Sequence, residues 1–174
     1  LSEMISLIAT ATNTQDKADQ LLDFINQEKE MLTTSLATAD DTPNIYLAGN
    51  SSLLSTAGPA MYQSGIIELA GGKNVASDIS DTYWAEISYE QLLSWDPDYI
   101  ILASDAEYTV DDVLSDPNLK DCTAVKNNHV YAIPGDIEAL DSPVPASILA
   151  SIWLAGILHP DQVSTDTYTK EMNS

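Results

Sequence analysis

The sequence predicts an α/β fold with a mostly parallel sheet flanked by helices. Three observations carry this. Short apolar runs, NIYLAG (44–49), DYIILA (98–103) and HVYAIP (129–134), have the length and composition of buried strands. Segments with helical period separate and follow them, and alternation of this kind puts parallel strands inside and crossover helices on both faces. A length of 174 residues with 44% hydrophobic content suffices for one well-cored domain and excludes a disordered chain.

In chain order, residues 1–36 read as helix. Leu1, Met4, Ile5 and Ile8 form a first apolar stripe, which the TATNT segment (10–14) interrupts, with N-caps available at Asn13 or Thr14. Ala18, Leu21, Leu22, Ile25, Leu32 and Leu36 mark one face of a second, longer helix. The polar ADDTP segment (39–43) is the main boundary. Beyond it a strand is expected at 44–49. A helix over 59–70 follows, with proline tolerated in its first turn and Gly71 as a left-handed C-cap. Residues 74–79 suit a short strand. Ser88 stands at capping-box spacing from Gln91, and Pro97 forces that helix to end near Trp95. Short helical turns are expected over 105–121. A last long helix runs from about 143 to 158, stopped by His159-Pro160. The domain reading is a helical segment at 1–38, an α/β lobe at 43–163 and a tail at 164–174.

The charge balance is extreme: 27 acidic residues stand against six lysines and no arginine, for a net charge of -21. No basic patch can be built from six scattered lysines, so nucleic acid is excluded as a partner. Cys122 is the sole cysteine, which rules out an intrachain disulfide and a multi-thiolate metal site. Gly49 and Gly58 flank a loop without forming a dinucleotide fingerprint, and neither a P-loop nor a G-x-S-x-G elbow is present. His129 opens a strand and His159 closes a helix, both readable as structural. Asp111-Asp112 reads as a solvated helix start. No spacing singles out a catalytic pair among the carboxylates. Neither a catalytic residue nor a cofactor is assigned.

In a sheet of this kind ligands bind beyond the carboxyl ends of the strands. The loops concerned are 49–58, 103–111 and 134–142, joined by 81–86. That edge carries Ser51, Ser52, Tyr83, Trp84, Tyr108, Asp136 and Asp141.

IIELAGGKNVA (66–76), AEISYEQLLSWDPDYIILAS (85–104), DCTAVKNNHVYAIPGD (121–136) and LASIWLAGILHPDQV (149–163) form an ordered series. Together they resemble the substrate-binding proteins of ABC importers that carry ferric siderophores, haem, cobalamin and related chelates. ISLIATATNTQDKADQLLDFINQEKE (5–30) is similar to that family's interlobe backbone helix and its continuation. The resemblance implies two Rossmann-like lobes bridged by a rigid helix, with the ligand in the cleft between them. This chain then corresponds to the C-terminal lobe, preceded by the interlobe helix, with an N-terminal lobe as its missing partner.

The resemblance further implies a non-enzymatic, extracytoplasmic protein, periplasmic or a cell-surface lipoprotein in its full-length form. Its partners are a metal-chelate ligand (siderophore, haem or corrinoid) and an ABC permease that the acidic lobe tip meets. Glu90, in the I-S-x-E-Q segment, matches the family glutamate that pairs with permease arginines. At the second position of a helix it also favours the helix dipole. Tyr83 and Trp84 fall where the family places an aromatic against the ligand, although Trp84 is equally readable as a cap on the core. Tyr108, Asp136, Ser51 and Ser52 follow from loop position, and the serines are equally readable as turn formers. The family's cleft arginines are missing here, which favours neutral or cationic ligands. The alternative is a catalytic or cofactor-binding domain on a doubly wound scaffold.

Overall fold

The computed structural model describes residues 1–79, 83–135 and 138–172. The chain opens with α1 (Ser2–Thr12), turns at Asn13 in the left-handed region, and continues as α2 (Gln15–Leu36) with Thr14 at its N-cap. Leu1 and Ser2 line a groove together with Ile25 and Lys29 of α2, so the two helices fold back on each other. Ala9 and Ala18 are buried in this hairpin, while Met4, Leu7 and Ile8 stand 47%, 71% and 56% exposed on the outer side of α1. Their i, i+3, i+4 spacing makes them one apolar stripe.

The α/β portion follows: β1 (Asn44–Ala48), β2 (Ser55–Ala57), α3 (Tyr62–Leu69), β3 (Lys73–Asn74), β4 (Trp84–Glu86), α4 (Tyr89–Trp95), β5 (Tyr99–Leu102), α5 (Val110–Leu114), α6 (Thr123–Lys126), β6 (Val130–Ala132), α7 (Ile148–Leu158) and α8 (Thr165–Met172). Among the described residues six strands form one sheet in the order β4-β2-β1-β5-β6, with β3 paired to the start of β1. β1 runs parallel to β3 and β5, and β5 runs parallel to β6. β2 opposes β1, and β4 opposes β2, so β2 alone runs against the common direction. The sheet is mostly parallel, as expected, with one reversed strand.

Side-chain alternation along the strands builds two cores. Ile45, Leu47 and Ile101 face α2, α3 and α7, meeting Leu32, Ile67, Ile152 and Leu154. Tyr46, Ala48, Ile100 and Leu102 face the other way, against Leu92, Val113 and Leu119 around α4–α6. α7 is buried nearly all round, because α3 and α2 flank it and α8 covers it. Residues 165–172, set apart in the sequence as a tail, are therefore a helix packed on α7.

Several local expectations change. The strand sought at 74–79 stops at Asn74. Its Nδ2 donates to Ala57 O and Ser64 Oγ, and its Oδ1 accepts from the Ala76 amide, which turns the chain away from the sheet. Residues 55–57, read as loop, are a strand despite lacking an apolar run; the buried Thr56 hydroxyl donates to Leu47 O at 2.7 Å. The helix sought at 59–70 starts at Tyr62, and the one from 143 opens as a 3-10 turn, Pro145–Ser147, before α7. Residues 84–86, read as part of a loop, are also a strand; Ser88 accepts from the Gln91 amide, and Gly71 adopts φ 81°, both as expected.

Candidate functional site

The carboxyl ends of β1, β5 and β6 open into segments 49–54, 103–109 and, among the described residues, 133–135 and 138–147 along one edge of the sheet. The register Ser55↔Glu86 brings β4 and the start of α4 to the same end.

The β1–β2 loop is fastened at almost every residue. Gly49 N donates to Ser55 O (2.7 Å), Ser55 N donates to Ser52 O (3.1 Å), and Leu54 N donates to Ser52 Oγ (3.2 Å). Ser52 thus accepts within the turn through both its carbonyl and its hydroxyl oxygen, whereas Ser51 lies exposed at the tip. From beneath, the buried Tyr46 hydroxyl donates to Leu53 O at 2.7 Å. From the side, Tyr108 OH donates to Gly49 O at 2.6 Å, and Glu107 N donates to Asn50 O at 2.8 Å. Burial pushes both phenols above the usual tyrosine range. Tyr108 therefore serves the loop with its hydroxyl instead of leaving it free to face solvent.

The two aromatics at 83–84 divide. Trp84 is part-buried against the α2–α3–α7 core, and its ring lies over Gly49. A Cβ at Gly49 would come within 3.1 Å of Trp84 Cζ3 and 3.2 Å of Ser55 Cβ, so a side chain there would push these neighbours back by a few tenths of an ångström. Tyr83 is pinned by its backbone, its carbonyl accepting from Gly58 N at 2.9 Å, while the residue is 67% exposed. Ser104 donates from N (3.3 Å) and Oγ (2.5 Å) to the buried Asp141 carboxylate, tying the loop after β5 to the one after β6. Asp136 lies outside the described residues.

Glu90 is exposed near the start of α4. Its own backbone N–H, then the Ser88 hydroxyl, hold its carboxyl below the usual range. On the neighbouring helix, Thr109 and Asp112 form a reciprocal capping box, and the Thr109 hydroxyl and amide keep Asp112 low as well. The solvated-helix-start reading of Asp111-Asp112 matches this geometry.

Segments 49–54, 83–86, 103–109 and 133–147 contain Glu86, Asp105, Glu107, Asp136, Glu138 and Asp141 but no lysine. Both histidines belong to the opposite end. His129 Nδ1 lies 3.2 Å from Asp98 O, and its ring stacks on Tyr99 at 4.5 Å. His159, buried, donates from Nε2 to Gly71 O at 3.3 Å. Among the described residues no group of three or more His, Cys, Asp or Glu side chains is placed to hold a metal ion. Sequence reasoning missed the Tyr46 and Ser104 contacts; Tyr46 reaches Leu53 across its own turn, and the strand order brings Ser104 to Asp141.

A sheet whose carboxyl edge carries the open aromatic and serine positions, with helices on both faces, agrees with the ordered motifs read from the sequence. The Periplasmic binding protein family matches residues 1–137. The chain belongs to that family. It is 27% identical over 176 residues to the molybdate-binding protein MolA of Haemophilus influenzae, covering 99% of this chain and 49% of that protein. A cobalamin-binding protein of Halobacterium salinarum is 28% identical over 110 residues, 60% of this chain and 29% of that one. A periplasmic solute-binding protein of Veillonella parvula shares the fold, with a TM-score of 0.85 at 24% identity, over 98% of this chain and 53% of that one. The chain thus spans about half the length of MolA and of this solved structure.

Proposed function

We propose that this family member is the C-terminal lobe of an extracytoplasmic solute-binding component of an ABC importer. It captures a metal chelate and delivers it to the permease without catalysing a reaction. The observation that carries the reading is the carboxyl edge itself. It is a rim of fastened loops with an exposed tyrosine and an exposed serine, which suits half of a cleft better than a closed catalytic pocket. Tyr83 offers the ligand its ring, Trp84 supports that rim from below, and Ser51 offers a hydroxyl. Ser52 and Tyr108 shape the rim, and Asp136 belongs to the same edge by sequence.

The outer stripe of α1, Met4, Leu7 and Ile8, supports a companion lobe in the full-length protein, since a contiguous apolar patch calls for a cover. Glu90 meets a basic socket of the permease. The charge of -21 would steer that docking, and salt would weaken it. The relatives' ligands named above are a metal oxyanion and a corrinoid. The acidic, lysine-free rim favours the second kind, a neutral or cationic chelate such as a corrinoid or a ferric hydroxamate, over an anion. No helix among the described residues is long and apolar enough to cross a membrane, and periplasmic or lipoprotein attachment belongs to the full-length form.

The test is a tryptophan-fluorescence screen of the full-length protein with ferric hydroxamate, haem, cobalamin and molybdate. Quenching by cobalamin or ferric hydroxamate is expected. Quenching by molybdate alone overturns the charge argument, and quenching by none overturns the transport reading.

A further inference from the structure

Tyr108 and Asp141 both use their polar groups on neighbouring loops, not on solvent. The Tyr108 hydroxyl, on the loop after β5, reaches across to the carbonyl of Gly49 on the loop after β1. Ser104, at the start of Tyr108's own loop, is held by Asp141 from the loop after β6. The Glu107 amide adds a backbone tie to Asn50. Three loops that leave three different strands are therefore linked side by side into one rim, with Trp84 closing over Gly49 at one end.

We infer that Tyr108 and Asp141 are positioning residues that hold this rim in its ligand-receiving shape before the ligand arrives. The inference rests on the ligand-binding reading of the edge. The physical reason is entropic. A loop ordered beforehand costs nothing to order on binding, whereas a loose 49–54 loop would subtract its ordering cost from the affinity. Tyr108 suits the task because a part-buried phenol deprived of the Gly49 carbonyl would leave both groups without a partner. Asp141 suits it because a buried carboxylate without the Ser104 donors would be a desolvated charge. Each bond is thus expensive to break and fixes a distance between loops.

The experiment uses the full-length protein carrying Tyr108→Phe or Asp141→Asn. Tyr89→Phe serves as control, because it removes a similar bond, Tyr89 OH to Asp116 Oδ2 at 2.6 Å, that joins none of the three linked loops. Two readouts are taken: the Kd for cobalamin, a ferric hydroxamate and molybdate well below the Tm of each variant, and amide exchange of residues 49–54. Tyr108→Phe is expected to weaken the binding probe about fivefold or more and to speed exchange of the 49–54 amides by a similar factor. Asp141→Asn should weaken binding as well, and Tyr89→Phe should change neither readout. Equal affinities across Tyr108→Phe and Tyr89→Phe, or unchanged exchange in the loop, overturn the inference. If no probe binds the unmodified protein, the transport reading fails, and the exchange data alone then decide whether Tyr108 holds the loop.

Discussion

The two ends of the sheet are built from similar residue types and end up with opposite surfaces. At the amino end, Asp98 accepts from the Asn44 amide at 2.8 Å, and Asp96 accepts from the amide and hydroxyl of Thr123. His129 stacks on Tyr99, and His159 joins the end of α7 to the Gly71 turn, with Asp41 3.7 Å from its Nδ1. Their polar and aromatic groups are engaged in holding the fold. At the carboxyl end, Tyr46, Tyr108, Ser52 and Asp141 are engaged in the same way, yet Ser51, on the loop they fasten, and Tyr83, held through its carbonyl by Gly58 N, stay exposed. The difference teaches that residue type does not mark a site. What marks it is which groups remain exposed after the backbone and the loops have taken their partners.

The sharpest way to break that comparison is a change at the amino end that should matter only for stability. Gly71 has φ 81°, and a Cβ there would come within 2.7 Å of His159 Nε2. Gly71→Ala should cost about 2–4 kcal/mol through backbone strain and displacement of the histidine, measured by urea denaturation. Ligand affinity below the Tm should be unchanged, and a matching affinity loss would show that the two ends are not separable.

At the carboxyl end the expectation reverses. Tyr83→Ala should leave stability within about 0.5 kcal/mol, because the ring is mostly exposed, while ligand affinity falls about tenfold. Titration by fluorescence quenching checks this, and unchanged affinity would move the ligand contact off Tyr83.

A smaller effect separates the caps from the rim. The folded-state pKa of Asp112 lies below its unfolded value because Thr109 donates to the carboxylate. Its contribution to stability is therefore present above the unfolded pKa, at about pH 4, and is lost as pH falls through the lower folded value. Asp112→Ala should destabilise at about pH 7 and much less at about pH 3, in paired denaturation curves, with salt narrowing the gap. A loss of equal size at both pH values would remove charge from the explanation.

Glu90→Ala should have the smallest effect on the protein itself. Stability and ligand affinity should match those of the unmodified protein, and the loss should appear only as failed uptake in a reconstituted importer. Normal uptake would end the docking role.

How much of this was legible beforehand follows from how local each signal is. Ser88 with Gln91, Gly71, and His159-Pro160 act within one turn of the chain, and the structure uses them as read. β2 was not legible: Ser55–Ala57 has no apolar run, and it is a strand because Ala48 and Ala85 lie on either side of Thr56. Asn74 looked like the start of a strand, but its side chain bonds Ala57 and Ser64, partners set by tertiary contact. Tyr108 was placed on this edge from its loop, but its bond was not legible because Gly49, which its hydroxyl reaches, stands fifty-nine positions earlier.

Patterning along the chain was enough to specify an acidic α/β domain with β1, β5, β6 and several helix ends, because periodicity, caps and charge are properties of neighbouring residues. It was also enough to specify the family, through the order of its motifs. Which side chains on the carboxyl edge face outward, and which fasten the loops, was decided only when β1, β5 and β6 came side by side. A hydrogen bond between loops needs two groups within about 3 Å, and strand order alone brings such distant residues that close.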